Sequence, residues 1–251
     1  MPRNPDKPLD CSHIDELVAH FQDERHRFEI LADSLVTTVQ KSPDLFPLLH
    51  SVRHRIKEPN HLRNKLLRFE ERCKQDGKPF GINVGNLFRK VNDLAGIRLL
   101  HLHTEQVGDI NRRLLAILKE QMYQIVEGPV ANCWDVEYEE LFKRFEIPTK
   151  SRNSMYTTVH YVVQANRRTK ITCEIQVRTL MDEVWGEVSH RVNYPRESIS
   201  RSCRDQLRVL ARVTTAGTRL VDSIFMSHEE APKTVRGAPR NRRRRSVGPV
   251  N

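Results

Sequence analysis

The sequence predicts an α/β or α+β fold, one mixed sheet flanked by helices, on three observations. Apolar residues recur with period two in some segments and near 3.6 in others, and the two kinds alternate. The run "AGIRLLHLH", the amphipathic "GDINRRLLAILKEQM" and the apolar "YQIVEG" stand in β-α-β order, which requires a crossover helix. "YTTVHYVVQA" and "KITCEIQVRT" are joined by "NRR", as two strands of a hairpin would be.

Each element follows from local signals. Asp10, Cys11 and Ser12 offer N-caps for a long helix over 13–40, whose apolar positions include Ile14, Leu17, Phe21, Phe28, Leu31 and Leu35. "HSVRHRIKEP" reads as a short basic strand ending at Pro59, and Asn60 caps a helix to about Lys74. Gly77, Pro79, Gly81 and Gly85 mark a loop over 75–85, followed by a short helix near Asn86–Asn92. The acidic, aromatic stretch Trp134–Phe145 reads as irregular. "CEIQVRTLMDEVWGEVSH" begins as a strand, with Ile175 and Val177 opposite Glu174, Gln176 and Arg178. From Leu180 the period lengthens to four, which predicts a helix over 180–192, and a last helix is predicted over 200–225.

Composition bounds the class of partner. Hydrophobic content of 38% with 29% charged residues suits a globular chain with polar extensions. Met1–Asp10 has no apolar core of a secretory signal, and no run approaches the roughly 18 apolar residues that span a bilayer. Five scattered cysteines without CxxC spacing read as free thiols of a reducing cytosol, so the expected location is cytoplasmic, with no membrane partner. A net charge of +10 points to a polyanion such as nucleotide phosphates or RNA. Arg240 and Arg242–Arg245 concentrate part of that charge in a tail fit for tRNA or ribosome contact, or for solubility alone.

Four constellations carry possible chemistry. Arg53, Arg55 and Lys57 lie on the basic strand, and Lys65 and Arg68 share one face of the next helix. They form either a solvated basic face or a phosphate site. In "DLAGIR", Asp93 stands at a strand edge, where a carboxylate caps or binds a hard cation such as Mg²⁺. Arg98 follows, and a guanidinium plane stacks on a base or clamps phosphate. In "RNSMYTTVH", Arg152 precedes a strand carrying Tyr156 and His160 on one side, a base-stacking platform or an ordinary cross-strand aromatic. Glu174 and Gln176 share the polar face of the last strand.

In this order, "HRIKEP", "DLAGIR", "YTTVH" and "EIQVRTLMDEVWGEVSH" resemble the synthetase domain of the RelA/SpoT family of alarmone synthetases, over roughly residues 45–195. The resemblance implies a nucleotidyltransferase-like mixed sheet of about five strands. It also implies transfer of pyrophosphate from ATP to the 3′-hydroxyl of GDP or GTP, giving (p)ppGpp. By matching positions, Arg55 and Arg98 would sandwich the adenine, and Lys57, Lys65 and Arg68 would hold the phosphates. Asp93 would ligate Mg²⁺, with Glu174 as second ligand or as the base for the acceptor hydroxyl. Tyr156 would stack on the acceptor base, with Arg152, His160 and Gln176 around it.

The chain departs from the family at two places. Where the acceptor loop commonly reads Lys-Pro-Asn-Gly-Tyr, this chain has Arg152-Asn153-Ser154-Met155-Tyr156, and Glu58 stands where Ser is frequent. The first departure keeps alternative acceptors open: the tRNA 3′ end or an adenosine nucleotide, as in toxin-type relatives. A non-catalytic module that binds nucleotide or RNA is the remaining alternative. No His-Asp dipeptide occurs, so the upstream hydrolase of long relatives is not expected. The expected organisation is a helical segment over 1–44, a synthetase core over 45–195, a helix over 196–228 and a basic tail over 229–251. Small relatives are often tetramers, so the closing helix over 200–225 would serve either a homo-oligomer or packing on its own domain.

Overall fold

The computed structural model describes residues 11–151, 155–166, 170–193 and 200–230. Its described helices are α1 (Cys11–Gln40), α2 (Pro59–Gln75), α3 (Leu87–Lys90), α4 (Gln106–Glu120), α5 (Val136–Arg144), α6 (Leu180–Asn193) and α7 (Arg201–Glu230). Its strands are β1 (Ser51–Ile56), β2 (Ala95–His101), β3 (Gln124–Cys133), β4 (Thr149–Ser151), β5 (Thr158–Gln164) and β6 (Thr172–Thr179). These form one six-stranded mixed sheet in the order β1-β2-β6-β5-β3-β4. β2 runs parallel to β6, and β3 parallel to β4; the other neighbours are antiparallel. The predicted crossover is α4, which carries the chain from β2 past β6 and β5 to β3.

Three expectations need correction. The sheet has six strands rather than about five, because the three-residue β4 is too short to leave a periodic signal. The stretch read as irregular holds α5: Asp135 caps it by accepting from the Glu137 amide at 3.0 Å, and Tyr138 and Phe142, four apart, bury their rings. Acidic residues in its first turn and basic ones in its last complement the helix dipole, a signal that the aromatic composition masked. In α2, Asn60 is not the cap. Glu58 holds the extended N-cap position and Pro59 opens the helix, where its missing N–H costs no hydrogen bond.

The two faces of the sheet differ. Ile97, Leu99, Val159, Tyr161, Val163, Ile175 and Val177 are buried on one, and α1 and α4 pack against that side. Phe21, Phe28 and Phe88 meet there edge to face at 5.1–5.5 Å, and the Tyr161 hydroxyl donates to Asn111 of α4 at 2.7 Å. The period-two alternation therefore sends the intervening polar residues of β1, β2, β5 and β6 to the opposite face. α6 and α7 close one end of that face. Thr179 caps α6, and Trp185 donates to the Leu207 carbonyl of α7 at 3.1 Å. α7 is tied to the end of β2 where Asp222 accepts from the Thr104 amide and hydroxyl, both at 2.7 Å. No described helix is long and apolar enough to cross a membrane.

Candidate active site

Strand register assembles the site. Arg55 pairs with Gly96, Gly96 with Glu174, Arg98 with Gln176, and Gln176 with His160. Residues opposite each other point to the same face, so four strands bring Arg55, Arg98, Glu174, Gln176 and His160 together. A cleft of about 130 Å³ opens here, lined by Arg53, Arg55, Asp93, Arg98, Glu174 and Gln176 among others. That is smaller than the roughly 300–1,000 Å³ of common small-molecule sites, because ion-paired side chains occupy the space.

On the β1–β2 side, Asp93 sits just before β2 between two ammonium groups. Lys57 Nζ lies 3.0 Å from one carboxylate oxygen and Lys65 Nζ donates to the other at 2.7 Å. Burial opposes the Asp93 charge, but these lysines outweigh it and hold the carboxyl below its ordinary pKa. Burial also pulls the Lys57 ammonium below its ordinary value, only partly offset by Asp93. Arg68 lies one turn beyond Lys65 on α2, half-buried. Arg98 does not project freely into the cleft. Its Nη1 donates to Glu183 at 2.9 Å and to Glu187, both on α6.

On the β5–β6 side the polar groups form a continuous chain. Glu174 Oε1 lies 2.8 Å from His160 Nδ1, and its other oxygen accepts from Gln176 Nε2 at 2.7 Å. The Tyr156 hydroxyl donates to Gln176 Oε1 at 3.1 Å and accepts from Arg178 Nη1 at 3.0 Å. Arg178 also lies 5.5 Å from the centre of the Tyr156 ring and pairs with Glu183. Burial and the nearby Asp93 charge work against the Glu174 charge, but the hydrogen bonds from His160 and Gln176 and the attraction of His160 together hold the carboxyl below its ordinary pKa. Burial raises the Tyr156 hydroxyl above its ordinary pKa.

The structure thus brings together Arg55, Lys57, Lys65, Asp93, Arg98, Tyr156, His160, Glu174 and Gln176, with Arg68 alongside. Arg152 lies outside the described residues. Tyr156 is half-buried rather than an open platform, its ring 6.2 Å from that of Trp185. Sequence reasoning missed Glu183 and Glu187, whose i, i+4 spacing after the polar strand could have marked them as partners for its arginines. No group of three or more His, Cys, Asp or Glu among the described residues is placed to hold a metal ion.

Comparison with known proteins gives a consistent result. The fold resembles small alarmone synthetase 1 from Bacillus subtilis bound to its product pppGpp, at 17% identity and TM-score 0.55, covering 84% of this chain and 96% of that one. The same enzyme bound to AMPCPP matches at 16% identity and TM-score 0.53, covering 84% and 97%. A GTP pyrophosphokinase family protein from Streptococcus pneumoniae matches at 18% identity and TM-score 0.56, covering 84% and 93%. No curated protein matches the chain. The model of the region found in RelA/SpoT proteins matches residues 54–199, from the second half of β1 past the end of α6 and so nearly all of the cleft; the chain belongs to the RelA/SpoT family.

Proposed function

We propose that the chain is a pyrophosphokinase that moves the β,γ-pyrophosphate of ATP to the 3′-hydroxyl of GDP or GTP, making (p)ppGpp. The observation that carries this reading is the meeting of two carboxylates, Asp93 and Glu174, with Arg55, Arg98, Lys57 and Lys65 at one cleft. Family membership and the pppGpp and AMPCPP bound to the Bacillus subtilis enzyme support it.

Asp93 and Glu174 fit Mg²⁺. They supply hard oxygen donors, and their mutual repulsion favours a cation between them. Two carboxylates suffice, since Mg²⁺ completes its shell with water and phosphate oxygens. When bound, the ion would offset negative charge on the transferring group. Lys57 and Lys65 exchange Asp93 for ATP phosphates, and Arg68 extends that cradle. Arg55 and Arg98 take the adenine between them. Glu174, oriented by His160 and Gln176, accepts the proton of the acceptor hydroxyl as its oxygen bonds to the β-phosphorus. The bond from the β-phosphorus to the bridging oxygen of the α-phosphate breaks, and AMP leaves. Tyr156 stacks on the acceptor base.

Incubating the chain with labelled ATP, Mg²⁺ and GDP or GTP tests this. A pyrophosphorylated guanosine product is expected, and none from folded protein overturns it. A second reading, transfer to the tRNA 3′ end or to an adenosine nucleotide, has one observation in its favour. Met155 adopts φ +44° where the family's loop has glycine, so a bulky side chain occupies a left-handed position beside Tyr156. Competition among GDP, GTP, ATP and tRNA separates the two readings. Binding without turnover would indicate a sensing module.

A further inference from the structure

We infer that Glu183 is a positioning residue for both nucleotide subsites, holding the donor-side Arg98 and the acceptor-side Arg178 on one carboxylate. The inference rests on the two-subsite reading above. Glu183 lies in the first turn of α6 with its side chain 7% exposed, behind the cleft rather than on its lining. A buried carboxylate is costly unless well paired, and here each oxygen meets a different guanidinium. Oε1 accepts from Arg98 at 2.9 Å, and Oε2 faces Arg178. Arg98 reaches the cleft directly. Arg178, 2% exposed, reaches the acceptor side through the Tyr156 hydroxyl and ring.

The fold makes room for this bridge. One turn along α6 from Glu183 stands Gly186, where a Cβ would come within 2.7 Å of Arg178 Nη1. Any side chain there would crowd the guanidinium that holds Tyr156, so the helix is cut back where the bridge passes. Glu187 contrasts with Glu183. It is 39% exposed and pairs directly with Arg98, feeling Arg178 only at longer range, so it acts chiefly on the donor side. An anchor that merely fastened β6 to α6 would need only Arg178. The second oxygen on Arg98 is what links the subsites.

Calorimetric titration of the full chain with AMPCPP plus Mg²⁺ and, separately, with GDP tests the inference. Glu183→Gln keeps the shape but leaves two buried guanidiniums without a counter-charge. It is expected to weaken each ligand, measured alone, by about tenfold. Glu187→Gln is expected to shift AMPCPP affinity and leave GDP within about twofold. Glu183→Gln changing neither affinity, or only one, in a chain that melts cooperatively overturns the inference and leaves the proposed function standing. A lower melting temperature with both affinities intact shows a structural anchor and overturns it as well. If Glu183→Gln does not fold, Glu183→Asp serves, since its shorter stem spans one arginine but not both; loss at neither subsite then overturns the inference. A wild-type chain that fails to bind both ligands overturns the two-subsite reading itself.

Discussion

The donor and acceptor sides of the cleft each centre on one carboxylate but hold it differently. On the donor side, Asp93 is shared by Lys57 and Lys65, and Lys65 is 41% exposed. The Lys65 pair is partly solvent-screened and contributes about 1 kcal/mol or less, so on the proposed reading a phosphate draws Lys65 from the carboxylate at little cost, whereas Lys57, 11% exposed, pairs with Asp93 largely out of bulk water. On the acceptor side, Arg178, Tyr156, Gln176, Glu174 and His160 form one part-buried hydrogen-bonded chain. Buried networks of this kind polarise and stiffen their members. On the proposed reading, Lys65 is therefore available for anion exchange on the donor side, whereas the acceptor side breaks a hydrogen bond or shifts Tyr156 before a base stacks.

The largest expected effect lies where the sides meet. Glu174→Gln keeps shape and the hydrogen bond to Gln176 but cannot take a proton. Transfer is expected to fall by roughly 10³-fold, within the range of general-base losses, with AMPCPP affinity nearly unchanged when it is measured with the metal chelated. A collapse of AMPCPP affinity would place Glu174 with the donor and redraw the boundary. Next is Asp93→Asn, expected to weaken Mg²⁺–AMPCPP by about 10–100-fold, the range seen when metal sites are disturbed. With the metal chelated the sign reverses: the variant should bind AMPCPP at least as well as wild type, because its lysines no longer face a competing carboxylate. Equal losses with and without metal would remove Asp93 from the metal site.

A smaller change isolates the acceptor side. Gly186→Ala adds a methyl that must displace Arg178, while the helix gains about 1 kcal/mol of intrinsic propensity. GDP affinity should fall roughly fivefold, about 1 kcal/mol, with unchanged thermal stability and AMPCPP affinity. A drop in stability without a change in GDP affinity would mean that Arg178 does not govern Tyr156.

This contrast also explains what could be read in the sequence. The order of strands, the crossover and the polar face of β6 were legible because period and chain order encode them locally. Asp93, Arg98, Glu174 and Gln176 were legible as a set through the order of their motifs and the family resemblance, and the β2–β6 register then sets Arg98 beside Gln176 and Gly96 beside Glu174. Glu183 and Glu187 were not, since Arg98, which both contact, lies 85 and 89 positions away, and only the Arg178–Glu183 pair, five positions apart, is local. The closed state of Tyr156 was equally hidden, as it depends on Arg178 reaching past Gly186. α5 was overlooked for a different reason: its cap and dipole signals were present, but its acidic, aromatic composition suggested an irregular segment.

A last effect, on stability and its pH dependence rather than on affinity, concerns the backing of the acceptor side. Behind Arg178 a small cavity is lined by His101, Tyr138, Thr158 and Asp182 among others. Burial pushes the Asp182 carboxyl up to about 6, with Asp222 adding to this and Thr179 and Arg178 opposing it, whereas burial pushes His101 down to about 4. The two act in opposite senses. Asp182, raised above its unfolded value of 3.8, contributes stability at low pH that is lost as pH rises through about 6. His101, depressed below 6.5, contributes stability at neutral pH that is lost as pH falls through about 4. Between pH 4 and 6 the slopes therefore offset, each spanning about two pKa units or roughly 3 kcal/mol. Asp182→Asn should unmask the His101 slope, so its urea midpoint relative to wild type climbs with pH across that window. His101→Gln should show the reverse. Difference curves that stay flat for both variants would mean that neither group sits in a dry interior, and the acceptor side would lose the rigid support that sets it apart from the donor side.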